Sequence, residues 1–331
     1  MKRLALVLLF LTFGGMAQAE PTLCGGTDLL AKMQHDDPAS YAEVMKEAAA
    51  TPNGEAVMWK VEREGVAPSF LLGTAHVTDP RVTTLPPPAA AAMATASTLV
   101  LELAELRSQQ EMALAMMKNA TKMVLPPGQT LWDLVPDADE AAIRDNPNLP
   151  AGKATGIFGF QPWLVAALIS VPLCETKRKE AGLRVLDEIL AEQASGTGIP
   201  VAGLETVPEQ LSVFADMPLD LQTRYLVSVA KIGSAGTDYF ETLISLYAQR
   251  KITAYMPFAK RAQVLEPEDE KLMTYVDENL LRVRNHRMAE RARDYLDKGS
   301  AFIAVGALHL PGQEGLVELL RQKGYKVSPI N

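Results

Sequence analysis

The chain has 331 residues, with 32 Lys and Arg against 40 Asp and Glu, a formal net charge of -8 at pH 7. Such an acidic balance gives no support for nucleic-acid binding or for adsorption to an anionic membrane surface. A 48% share of hydrophobic residues is ample for a sizeable core.

Lys2 and Arg3 precede the apolar run "LALVLLFLTF", and Ala17-Gln18-Ala19 then supplies small residues for cleavage. This is the pattern of a secretory signal peptide over residues 1–19, cut after Ala19. The run falls short of the roughly 20 apolar residues that span a bilayer, so no stable membrane span is expected after cleavage. Cys24 lacks the small residues that would precede a lipid attachment site. The expected location is periplasmic or secreted, and loss of Lys2 and Arg3 takes the net charge to -10. In an oxidising compartment the only two cysteines, Cys24 and Cys174, are expected to form a disulfide.

After the signal, "LLAKMQHDDPASYAEVMKEAAA" reads as one or two short helices broken at Asp37-Pro38. Two strands follow, "AVMWKVERE" and "SFLLGTA", with a hairpin-like turn at Gly65 and Pro68. "PPPAAAAMATA" opens a helix that leads into the apolar strand "TLVLELAE". Residues 107–198 are mainly helical by period, and "FQPWLVAALISVPLC" within them predicts a buried helix of about a dozen residues between Pro162 and Pro172. The short strand "GIPVAGLET" ends at Glu205, and a second long helical stretch occupies about 206–298. Strand "AFIAVGA", helix "GQEGLVELLRQKG" and strand "YKVSPI" complete the chain. The pattern predicts one α/β domain over residues 20–331: a single, mostly parallel central sheet flanked by helices, with long helical insertions between its strand-rich ends.

Two of the four histidines stand behind the same device, an apolar strand followed by Gly-x-x-His: Gly73 with His76, and Gly306 with His309. In α/β folds, side chains converge on a ligand at the carboxyl ends of strands, and a glycine there lets the chain bend sharply. Two further strands end in acids, Glu102 and Glu205. A carboxylate in an apolar strand is costly unless it is paired or bound to a cation. Two histidines with one or two glutamates make a divalent-metal or acid–base site; pairing of these glutamates with arginines, or a helix-entrance role for Glu205 in "ETVPEQ", is the structural alternative. In "LLRVRNHRMAERARDYL", Arg284 shares the apolar stripe of Leu281, Met288, Ala292 and Tyr295. It is expected to face inward and meet a carboxylate or a developing oxyanion. Arg282, Arg287, Arg291 and Arg293 are expected to be a solvated charge run, and His35 and His286 surface residues.

"SFLLGTAHV", "LVLEL", "VAGLETVPEQL", "RNHRMAERARDYL" and "AFIAVGALHLPGQEGLVELLRQKGYKV" together resemble the TraB/GumN family. That family is distantly similar to the Tiki metalloproteases and to erythromycin esterase and ChaN-like proteins. The resemblance implies that both Gly-x-x-His motifs and the "VLEL" glutamate converge, with His76, Glu102 and His309 as metal or catalytic residues. Arg284 and Asn285 match the family's Arg-Asn pair. Asp187 matches an acidic position usually written Gly-x-Asp, with Val185 here in place of that glycine. The leading expectation is a periplasmic metal-dependent hydrolase, peptidase-like, acting on a peptide or other small envelope substrate. Its divalent ion would be zinc, manganese or cobalt, with Glu102 or Glu205 as base. The alternatives are a metal-free His/Glu esterase and a non-catalytic binding or regulatory protein of the envelope.

Overall fold

The computed structural model describes residues 22–149, 157–262 and 269–330, so the expected signal peptide lies outside the described residues. Met58–Arg63 (β1) and Val66–Thr74 (β2) form the expected antiparallel hairpin, turning at Gly65 with φ 73°. Pro68 does not sit in that turn. It lies inside β2, where the register shifts between Val61 and Arg63 of the partner strand. The extra residue there is a bulge, which tolerates a proline that has no N–H to give.

Thr98–Leu103 (β3), Val201–Glu205 (β4), Ala301–Gly306 (β5) and Lys326–Pro329 (β6) complete one sheet in the order β4-β3-β5-β2-β1-β6. Pairings along β4, β3, β5 and β2 are parallel, whereas β1 runs antiparallel to both β2 and β6. The parallel centre explains the sequence of β5, in which Ala301, Phe302, Ile303, Ala304 and Val305 are all buried. A strand covered on both faces reads as a continuous apolar run.

Alternate residues feed two cores. Leu71, Val100, Ile303 and Val305 pack with the helices Val283–Leu296 and Leu316–Gln322. Leu72, Leu99, Leu101 and Phe302 pack with Pro87–Ala94 and Leu186–Thr197 on the opposite face. Each fully buried Leu or Ile contributes about 1.5–3 kcal/mol, so both faces must stay covered for the sheet to persist.

The inserted helices have their own cores. One gathers Leu131, Ile143, Val165 and Leu226; another joins Leu30 and Val44 of the N-terminal helices to Leu246 and Phe258. The apolar helix expected between Pro162 and Pro172 covers Pro162–Ser170. It stops because Val171, preceding a proline, is extended. The C-terminal helix begins only at Leu316, since Gly312 adopts φ 94° and Gly315 turns tightly against the Pro311 carbonyl. Cys24 and Cys174 form the expected disulfide, with Cα atoms 5.3 Å apart. Among the described residues no helix is long and apolar enough to cross a membrane.

Candidate active site

β2 and β5 are parallel neighbours, with Gly73 opposite Val305 and Thr74 opposite Gly306. Their carboxyl ends therefore share a rim. His76 leaves β2 there, and His309 leaves β5 through the short turn Ala307–His309. β3, on the other side of β5, brings Glu102 to the same place. His76, Glu102, Arg284 and His309 all line one cavity of 540 Å³.

The two motif glycines answer to space rather than to sharp bending, as neither has a positive φ. A Cβ on Gly73 would stand 2.8 Å from Leu310 Cδ1 and 2.9 Å from Ala307 Cα. Gly73 thus lets the turn after β5 press on the end of β2. Gly306 faces Glu102: its N–H donates to Glu102 Oε1 at 2.7 Å, and a Cβ would lie 3.2 Å from that oxygen.

Each imidazole is anchored at Nδ1. Asn285 Nδ2 donates to the Glu314 carbonyl at 2.8 Å, so Asn285 Oδ1 faces His309 Nδ1 as an acceptor at 2.6 Å. His309 therefore carries its proton on Nδ1 and turns a bare Nε2 toward Glu102 Oε1, 3.7 Å away. Asp187, fully buried, accepts from Thr74 Oγ1 at 2.9 Å and lies 3.2 Å from His76 Nδ1. The helix carrying Asp187 brings it to His76 although Val185 stands in place of the family glycine.

The acids form a buried network around Arg284. Its guanidinium donates to Glu102 Oε2 at 2.7 Å and to Glu205 Oε2 at 2.6 Å and 2.9 Å. Gln210 Nε2 bridges the same two carboxylates at 2.9 Å and 3.2 Å. Arg287 reaches Glu205 at 3.3 Å, and Arg291 donates to Glu209 and to the Leu204 carbonyl. These two arginines therefore leave the expected solvated run, because the helix packs that flank along the end of β4. Arg282 and Arg293 remain on the surface, paired with Glu278 and Glu290. His286 is half exposed beside Glu314, and His35 is 91% exposed.

The electrostatics divide the two histidines. Burial would make Glu102 neutral, but His309, cationic at the acid pH where Glu102 titrates, acts with Arg284, His76 and the Gly306 amide to hold it at about 2. Burial pulls His309 down to about 4 against the attraction of Glu102, with Arg284 adding to the fall. Crowding at the rim would lower His76, but 59% of its side chain stays exposed, and the hydrogen bond and charge of Asp187 prevail and raise it to about 9. At neutral pH the rim thus holds an ionised Glu102, a neutral His309 and a cationic His76.

Every residue expected at the site comes to this rim. Sequence reasoning missed Gln210, a neutral amide with no pattern of its own inside "ETVPEQ". It also missed the clamp behind His76, where buried Glu175 accepts from Thr78 N at 2.7 Å and from Thr78 Oγ1 at 2.8 Å. Arg178 donates to the Thr78 hydroxyl and carbonyl from the same helix.

The donors suit a divalent ion by type: a neutral His309 anchored at Nδ1, a His76 anchored the same way that would have to release its Nε2 proton to bind, and an ionised carboxylate whose Oε1 keeps a lone pair beyond its bond to Gly306. They are not drawn together as a ready site: among the described residues no three His, Cys, Asp or Glu side chains cluster closely enough to hold a metal.

A single mostly parallel sheet, with histidines, glutamates and an arginine meeting at its strand ends, defines an α/β protein with a mostly buried polar cluster at the carboxyl rim of its sheet. The chain matches the TraB/PrgY/gumN family over residues 57–329, and it belongs to that family. Metalloprotease TIKI1 and Metalloprotease TIKI2 of Danio rerio are each 26% identical to it over 317 residues, covering 82% of this chain. The chain spans 62% and 60% of the lengths of these relatives. No solved structure matches it.

Proposed function

We propose that this protein is a hydrolase of the metalloprotease kind, exported to the periplasm or secreted, that cleaves peptides or other small envelope substrates. The observation that carries the reading is the pair of imidazoles, each fixed at Nδ1 by an oxygen acceptor, beside the ionised Glu102. Such anchoring leaves Nε2 as the working nitrogen of His309, and of His76 once that ring gives up its Nε2 proton. His76, Glu102 and His309 would hold a divalent ion, with zinc, manganese or cobalt as candidates. When bound, that ion supplies Lewis-acid polarisation of a carbonyl and a water of lowered pKa. Glu102 accepts a proton from the attacking water wherever it is not itself a ligand. Arg284 holds Glu102 and Glu205 in register, and Asp187 and Asn285 orient the rings.

A second reading has its own support. His309 Nε2 and Glu102 Oε1 lie 3.7 Å apart, and among the described residues no third His, Cys, Asp or Glu closes a metal-holding group with them. This arrangement suits a metal-free His/Glu pair that activates water for ester hydrolysis. A non-catalytic binding role in the envelope is the third possibility.

Elemental analysis of purified protein, run beside peptide and ester hydrolysis, separates these readings. The metalloprotease reading expects about one ion per chain, loss of peptide cleavage on chelation, and loss of both ion and cleavage in the His76→Ala, His309→Ala variant. Ester turnover unaffected by chelators would replace it with the second reading. An in vivo phenotype retained by the double variant would point to the binding role.

A further inference from the structure

Two cavities meet at the candidate site. One, of 370 Å³, is lined by His76, Glu102 and the polar side chains of Lys179, Arg184, Asp187 and Gln210. The other, of 540 Å³, shares His76 and Glu102 but extends between the inserted helices, where Phe240, Leu243 and Ile252 give it apolar walls. Three tyrosines, Tyr225, Tyr239 and Tyr255, open into this second cavity. They come from three different helices, Leu219–Ile232, Gly236–Ala248 and Tyr255–Arg261.

Their rings are held in place. Tyr225 stacks on Phe214 with centroids 6.4 Å apart, and Tyr239 leans on Phe258 at 5.8 Å. Their hydroxyls, in contrast, make no hydrogen bond among the described residues. The three phenols share one neighbourhood: burial raises the pKa of Tyr255, and the charges of Tyr239 and Tyr225 raise it further. A buried tyrosine normally finds a partner for its O–H, and a pocket of this size suits a ligand with a large apolar body and a few polar contacts.

We propose that the tyrosine-lined cavity is the specificity pocket for a bulky aromatic residue with a polar edge, Tyr or Trp, lying beside the bond to be cleaved. The apolar walls take the ring, and the unpaired phenols meet its hydroxyl or indole N–H. The remainder of an extended substrate passes over His76 and Glu102 into the smaller cavity. A pocket built to hydrogen-bond a substrate hydroxyl discriminates against the analogue lacking it, because its own polar groups are otherwise left unpaired. Phe should therefore bind more weakly than Tyr, and Ala more weakly still. The inference rests on the hydrolase reading for the scissile bond but not for the pocket.

The test titrates N-acetyl-tyrosine amide, N-acetyl-phenylalanine amide and N-acetyl-alanine amide into the whole protein by ligand-observed NMR. The expected order is Tyr over Phe over Ala, with about tenfold between the first and last. Tyr239→Phe and Tyr255→Phe should each narrow the Tyr-to-Phe preference several-fold. Leu243→Trp should block binding by filling the cavity; if it fails to fold, the two isosteric phenol variants still decide. Equal binding of all three amides, or a Tyr-to-Phe preference untouched by both phenol variants, overturns the pocket. Cleavage of peptides without aromatic preference would sink the pocket while leaving the hydrolase reading intact. Preserved Tyr binding with no hydrolysis of any peptide would do the reverse.

Discussion

Glu102 and Glu205 place two buried carboxylates on either side of one guanidinium, with Arg287 a weaker second cation for Glu205 at 3.3 Å. Arg284→Met should therefore cost about 3–5 kcal/mol in urea unfolding, because two buried charges lose their main partner. Arg284→Lys should recover only part of that, since one ammonium cannot span the oxygens the planar fork reaches. Gly73→Ala should cost about 1–3 kcal/mol, as the new Cβ meets Ala307 backbone and Leu310. Gly196→Ala is the control: nothing lies near its Cβ position and its helix should gain up to about 1 kcal/mol. A Gly73→Ala protein as stable as the control variant would show that the turn after β5 yields easily. At this scale Arg284 was legible because a charged residue on an apolar helical stripe must find an anion. Gln210 was not, because an amide at a helix entrance disturbs no pattern.

The elements themselves announced their strand ends. The apolar runs of β2, β3 and β5 were visible, and so were the acids and histidines that close them. The bulge that admits Pro68 was not, since it depends on which strand lies beside it. The inward flank of the arginine-rich helix was hidden for the same reason: Arg287 and Arg291 turn to β4 only because the helix crosses its end. That contact predicts a pH response. Arg291 holds Glu209 at about 2, against partial burial and with help from Thr206, below the ordinary 4.5 of a glutamate. A depressed folded-state pKa stabilises above the unfolded value and is lost as protons return. The urea midpoint should fall as pH drops from about 4.5 toward about 2, and the fall should be shallower in Glu209→Gln. Identical acid limbs in the two proteins would exclude Glu209 as a contributor.

For the whole molecule, the single mostly parallel sheet followed from strand–helix alternation, whereas the tyrosine-lined cavity did not. Its walls come from separate helices, each of which reads alone as an ordinary amphipathic segment. The disulfide was legible because two cysteines in a chain expected to be exported have few other fates. It ties residue 24 to residue 174 across 150 positions, within the helix Leu173–Glu180 whose Glu175 and Arg178 clamp Thr78. Cys24→Ser with Cys174→Ser should lower unfolding free energy by about 3–5 kcal/mol in the chain-entropy view. The same variant should broaden the NMR signals of His76 before those of His309, because only His76 lies beside the clamped loop. Equal broadening of both rings would show that the bridge steadies the molecule generally.

The sheet order also sets a timetable. β5, the fifth strand in the chain, lies between β2 and β3, so these two cannot share a sheet until it has arrived. Until then β2 and β3 keep open edges, and long-range parallel pairing of this kind forms slowly. His309 and the Gly306 amide that holds Glu102 arrive on the same late segment. A nascent chain therefore carries His76 and Glu102 with nothing to bring them together, and the site stays incomplete until synthesis has passed residue 309. On the proposed reading of an exported hydrolase, that delay would spare the cell that makes it.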